Sequence, residues 1–217
     1  MVEEKDIQLL YPGGYFHVYN RGNNKETIFK TEENYYYFLS LWKKYIEPVA
    51  QTFCYSLLPN HFHFFIRIRE NILLNDDVKN NKITGNFKES DALTPEEIRR
   101  RFSNFFNAYA KAINKRYNRT GSLFQERFRR KEITNTQYYT ALIGYIITNA
   151  EKHGLVKRAD EYPYCAYHAI LSEKPTLLLR NEIIAWFGGK QQFVDYINSY
   201  EMDIVERKLF LESELDD

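Results

Sequence analysis

His61-Phe62-His63-Phe64-Phe65-Ile66-Arg67-Ile68-Arg69 is the stretch of this chain whose residue types and spacing suit chemistry. Read as a β-strand, it places His61, His63, Phe65, Arg67 and Arg69 on one face. Phe62, Phe64, Ile66 and Ile68 fall on the other, a continuous apolar surface fit for a core. Two imidazoles two residues apart on a strand can hold one divalent ion. Arg67 and Arg69 extend the same face as an anion-binding strip. A metal beside a phosphate-binding surface is what phosphodiester chemistry requires. The structural alternative is that an isolated His-x-His is simply two core or solvated histidines. The preceding Leu57-Leu58-Pro59-Asn60 carries a turn signal, so the pair opens a fresh strand after a tight connection.

The elements that must position this strand are readable along the chain. At 217 residues it is long enough for one ordinary domain with a real core. Tyr15 to Asn20 follows Pro12-Gly13-Gly14 and reads as a first strand. A helix follows, capped near Thr31 and carrying Tyr35, Phe38, Leu39, Trp42, Tyr45 and Ile46. Phe53 to Leu58 is a second strand and the histidine strand the third. The polar segment of about 70–92 reads as an insertion. Thr94-Pro95-Glu96-Glu97 is a helix start, with Thr as N-cap and Pro at the first helical position. Ile98, Phe102, Phe105, Phe106, Tyr109 and Ile113 then form an apolar stripe at helical spacing. Phe124 to Thr134 reads as a fourth strand. A third helix, capped by Asn135 or Thr136, runs to about Ala150 and closes at His153-Gly154. Strand, helix, strand, strand, helix, strand, helix suits a ferredoxin-like α+β fold, an antiparallel sheet with helices packed on one face and the other face open. This domain spans 1–170. A helical, acidic extension over 171–217 follows, with short helices at Asn181 to Trp186 and Gln191 to Tyr200. Gly188-Gly189-Lys190 lacks the other residues of a phosphate loop and reads as the turn between them.

Charge is near balance overall, at +1, but not locally. Between Ile98 and Lys131 stand eleven basic residues, Arg99, Arg100, Arg101, Lys111, Lys115, Arg116, Arg119, Arg127, Arg129, Arg130 and Lys131, against one acid, Glu126. Such asymmetry points to a polyanion partner, whereas a merely solvated face usually mixes signs. Eighteen tyrosines and sixteen phenylalanines leave some aromatics for the surface, where bases can stack. Cys54 and Cys165 lack metal-ligand spacing and suit a reducing, cytoplasmic compartment. No apolar run approaches transmembrane length, and the acidic N-terminus has no signal core.

A metal and a phosphate still need an attacking group. Tyr145 and Asn149 lie four apart on the third helix and so share a face. A phenol can attack phosphorus where cations lower the cost of its ionisation, and an amide oxygen can complete a two-histidine metal site. By itself, one tyrosine among eighteen is better read as packing. His17 on the first strand, and Tyr138 and Tyr139 ahead of Tyr145, also read as packing, with Tyr138 the fallback nucleophile.

His61-Phe62-His63 resembles the HUH motif (His, hydrophobic, His) of the single-tyrosine transposases. Leu58 to His63, Gly121 to Phe128, Tyr145 to Val156 and Tyr162 to Tyr167 resemble that family's segments in the same order. Together they span roughly 14–170 and lie nearest its REP-associated branch. The resemblance implies that His61 and His63 bind Mg²⁺ or Mn²⁺, that Asn149 is the third metal ligand, and that Tyr145 is the nucleophile. It implies cleavage of single-stranded DNA, with a hairpin as substrate, through a 5′-phosphotyrosine and a free 3′-hydroxyl. A homodimer is one arrangement it allows. The chain departs from the family at Ala150, where Pro is usual, and at Glu151. The expected DNA-binding residues are Arg67, Arg69, Arg99, Arg100, Lys111, Lys115, Arg116, Arg119, Arg127, Arg129, Arg130 and Lys131. Two rivals stand beside this reading: a non-catalytic DNA-binding regulator on the same fold, and a replication-initiator-type nickase with a second catalytic tyrosine.

Overall fold

The computed structural model describes residues 8–71, 92–126, 128–203 and 205–206. Most of the expected insertion, Arg127 and the acidic end of the extension lie outside the described residues. Four strands, β1 (Tyr15–Arg21), β2 (Ala50–Leu58), β3 (His61–Ile68) and β4 (Arg129–Glu132), form one sheet in the order β2-β3-β1-β4. Every pairing within it is antiparallel. With α1 (Glu32–Tyr45) and α2 (Pro95–Arg116) as the two crossovers, this is the ferredoxin-like arrangement the sequence predicts.

The caps form where the residues call for them. Asn34 Oδ1 accepts from the backbone N–H of Thr31 and of Lys30 at the start of α1. Thr94 Oγ1 accepts from Glu97 N–H at 3.2 Å at the start of α2. One face of the sheet, Phe16, Val18, Phe62, Phe64 and Ile66, packs on Phe38 and Trp42 of α1 and on Phe102 and Phe105 of α2. Trp42 stacks on Phe64 at 3.6 Å between centroids.

The other face is not open, which corrects the sequence expectation. The third helix, α3 (Gln137–Lys152), packs there on Phe53, Cys54 and Phe65. Its residues from Ala141 to Ala150 are all buried, because α5 (Arg180–Phe187) and α6 (Lys190–Ser199) cover its outer side with Ile183, Phe193 and Ile197. The short α4 (Tyr167–Leu171) joins the same cluster through Tyr167 and Ile170. Gly188 and Gly189 both take positive φ and form the expected turn between α5 and α6.

The fourth strand is shorter than expected. Leu123 and Phe124 are adjacent, yet both are buried in the α1/α2 core, so alternation fails there. That segment instead bonds to the end of β1, through Asn23 N–H to Leu123 O and Gln125 N–H to Arg21 O. Among the described residues, no helix is long and apolar enough to cross a membrane.

Candidate active site

The β2–β3 hairpin fixes where the histidines begin. Leu58 pairs with His61 across the two-residue Pro59-Asn60 turn. The loop after β1 clamps this turn: Gly22 N–H donates to Asn60 O at 2.7 Å, and Ile28 N–H to Pro59 O at 2.7 Å. Gly22 is required there, since a Cβ would lie 2.0 Å from Glu26 O. Alternation then turns His61 and His63 toward α3, with Phe65 and Arg67 on the same side.

Two elements distant in sequence, β1 and α3, converge on the pair. His61 Nε2 lies 3.2 Å from Asn149 Oδ1 on α3, and His61 Nδ1 lies 2.7 Å from Asn60 Oδ1. His63 Nδ1 lies 2.9 Å from Nε2 of His17 on β1. The Tyr145 ring stands edge-on to His63 at 5.4 Å and to His17 at 5.8 Å. The His153 ring is 5.0 Å from that of His61. Lys152 Nζ sits over the Tyr145 ring at 5.5 Å and over the Tyr200 ring at 4.5 Å. Tyr145 itself is enclosed, at 1% exposure.

Electrostatics keep these imidazoles neutral. Burial above all, with Lys131 adding to it, pushes His17 down to about 3. Burial likewise pushes His61 down to about 3, helped by His153 and opposed by the Asn149 contact. His63 is held well below its ordinary range by burial and by the His17, His61 and His153 rings. Neutral imidazoles are the form that binds metal.

The donor set fits a divalent cation. A neutral His61 has a single N–H, yet its two ring nitrogens face two carbonyl oxygens, so one contact sets lone pair against lone pair. A cation between Nε2 and Asn149 Oδ1 resolves that mismatch. His63 Nε2 is buried with no hydrogen-bond partner. Among the described residues, no group of three or more His, Cys, Asp or Glu side chains could hold a metal. A cation here would therefore rest on His61, His63 and the Asn149 amide, and complete its shell with water or substrate oxygens.

The basic residues divide between the two faces. Lys131 pairs with His17 and Arg129 with Tyr19, which turns both toward the histidine side. Arg130 pairs with Val18 and faces the other way, its guanidinium over Phe128 and bonded to Gln8 O. Arg99, Arg100, Lys111, Lys115 and Arg116 are exposed on α2, across the sheet from the histidines. Arg100 pairs with Glu97, Arg116 with Glu33, and Arg119 with Glu26. Arg67 and Arg69, the expected anion-binding strip, each lie beside a carboxylate. Arg67 bonds to Glu182, Tyr15 and Gln51, and Arg69 to the Glu47 carbonyl, with the Glu47 carboxylate 3.8 Å away.

Sequence reasoning missed Asn60 as the partner of His61 and assigned His17 to packing. Lys152, seven residues after Tyr145 on the same helix, carried a usable signal of shared face. His17 carried a weaker one, as the imidazole between Tyr15 and Tyr19 on an alternating strand.

No protein-family model matches the chain, and no curated protein matches it. Among solved structures, it is similar to a REP-associated tyrosine transposase bound to a REP hairpin, with a TM-score of 0.53 and 18% identity. The match covers 81% of this chain and 89% of that one. The chain shares the fold of that transposase. Identity at this level shows the fold alone. A bacterial tRNA(His) guanylyltransferase-like protein in complex with GTP also matches, at a TM-score of 0.40 and 12% identity over 68% of this chain and 67% of that one. At that score the second likeness carries no argument.

Proposed function

We propose that this chain is a metal-dependent single-strand DNA endonuclease and strand transferase of the tyrosine-transposase type, acting on DNA hairpins. The observation that carries the reading is the convergence of His61, His63, Asn149 and Tyr145, from β3 and α3, in one buried cluster. A solved protein of the same fold holds a REP hairpin, which supports a hairpin as the substrate class.

In this reading His61, His63 and Asn149 hold Mn²⁺ or Mg²⁺, which when bound supplies positive charge to a phosphate oxygen. The Tyr145 oxygen attacks phosphorus. Its bond to phosphorus forms as the phosphorus–O3′ bond breaks, and the phenol's proton is balanced by the one that the departing 3′ oxygen takes up. The product is a 5′-phosphotyrosine, and attack by a 3′-hydroxyl reverses the step and joins strands. Lys152 Nζ lies over the Tyr145 ring at 5.5 Å and places a cation beside the attacking residue. Arg129 and Lys131 offer phosphate contacts on the same side of the sheet. Tyr145 is enclosed, at 1% exposure, so a DNA strand reaches it only when its surroundings shift.

The same enclosure favours a second reading, a hairpin-binding protein that does not cleave. Incubation with a single-stranded hairpin and Mn²⁺, followed by a denaturing gel, separates the two. A slower-migrating protein–DNA band in the wild type, absent in Tyr145→Phe, is the expected result. Binding without any such band would favour the second reading.

A further inference from the structure

His17 lies outside the metal set, yet its ring nitrogen is in hydrogen-bond contact with His63. On the β1–β3 ladder Tyr19 is opposite His63 and Phe65 opposite His17, so His17 and His63 are diagonal neighbours on one face. Their rings are 22° from coplanar, and His17 Nε2 is 2.9 Å from His63 Nδ1. The two rings thus meet edge to edge, with one N–H between two nitrogens.

That proton has two places. On His17 Nε2, it leaves Nδ1 of His63 as acceptor and puts the proton of His63 on Nε2. Burial alone does not choose between the two: here the N–H falls on the buried His63 Nε2, and in the other arrangement it falls on the buried His17 Nδ1. A proton on His63 Nε2, however, leaves that nitrogen no lone pair for a cation. On His63 Nδ1, the proton is donated to His17, and Nε2 of His63 is left with a bare lone pair. We propose that His17 is a positioning residue: its Nε2 accepts from His63 Nδ1–H and so fixes His63 in the tautomer whose Nε2 can bind a cation. Carboxylates and carbonyl oxygens commonly serve metal-binding histidines in this way. A neutral imidazole does so here, and Asn60 Oδ1 does the same for His61 at 2.7 Å. With acceptors behind both rings, β3 presents two nitrogens ready for one ion.

This inference rests on the metal reading above, and the test separates the two. The full chain is titrated with Mn²⁺ alone, without DNA, for wild type, His63→Ala, His17→Phe and His17→Gln. Phenylalanine keeps the ring volume and removes the acceptor; glutamine places an amide oxygen where Nε2 was. The expected result is that His63→Ala abolishes binding, His17→Phe weakens it by about 10- to 100-fold, and His17→Gln restores most of it. Binding unchanged in His63→Ala would refute the metal reading itself. Binding lost in His63→Ala but kept in His17→Phe would overturn only the role of His17. Should His17→Phe fail to fold, ¹⁵N NMR of histidine-labelled, metal-free wild type decides the matter. His63 protonated at Nδ1 supports the proposal, and His63 protonated at Nε2 overturns it.

Discussion

If the histidine cluster is desolvated and neutral, His61 must make stability depend on acid. A base whose native pKa is depressed binds its proton first in the unfolded chain. Its contribution is therefore full above the unfolded value and is lost as pH falls through it. For His61 that window runs from 6.5 down to about 3. At pH 5 the unfolded imidazole has gained about 1.5 log units of protonation free energy that the native one has not, or about 2 kcal/mol. That is a large part of a typical total of about 5–15 kcal/mol. Other groups titrate in the same range. Glu47, pushed up to about 7 by burial, works in the opposite direction. Comparing wild type with His61→Gln cancels those groups, because they are common to both chains. Urea unfolding followed by circular dichroism, with metal chelated, should show wild type losing about 2 kcal/mol relative to the variant between pH 7.5 and pH 5. A difference that stays constant with pH would mean that His61 is protonated in the native state, and would refute the neutral, ligand-ready site.

Three further outcomes follow. Mn²⁺ at 100 times its Kd should stabilise wild type by about 2.7 kcal/mol, raising Tm by roughly 5–10 °C, and should leave His63→Ala unmoved; equal shifts in differential scanning fluorimetry would count against the site. Charge reversal of the exposed Lys111 and Lys115 together should lower the salt slope of hairpin binding by about 1.5 on a log–log plot if both touch phosphates, and an unchanged slope removes that part of α2 from the interface. Gly144→Ala should cost about 1–3 kcal/mol, since its Cβ would lie 2.7 Å from the Tyr200 ring, and in a Tyr200→Ala background it should instead stabilise α3 by about 1 kcal/mol; the same sign in both backgrounds, by thermal denaturation, would contradict that packing.

The framework was legible where local signals agree. Alternation marked β1 and β3, and Thr31 and Thr94 marked the starts of α1 and α2. The covered second face was missed, although Ala141 to Ala150 contains no charged side chain. A helix apolar all round is one buried on both sides, and that signal was available. The shortened β4 was not legible, because Leu123 and Phe124 obey the demands of the α1/α2 core rather than those of a ladder. Within the site, the histidine pair and its alignment with Tyr145 and Asn149 could be read from spacing and resemblance. The partners of Arg67 and Arg69 could not, since Glu182 and Glu47 reach them only through tertiary packing.

The central claim is that Tyr145 becomes covalently attached to DNA. The most direct measurement is mass spectrometry of peptides from the chain after incubation with a single-stranded hairpin and Mn²⁺. The account predicts a nucleotide phosphate on the peptide containing Tyr145, joined through a 5′-phosphate, and its complete absence in Tyr145→Phe with hairpin affinity retained. A phosphate adduct on Tyr138 or any other residue, or an adduct that persists in Tyr145→Phe, would contradict it.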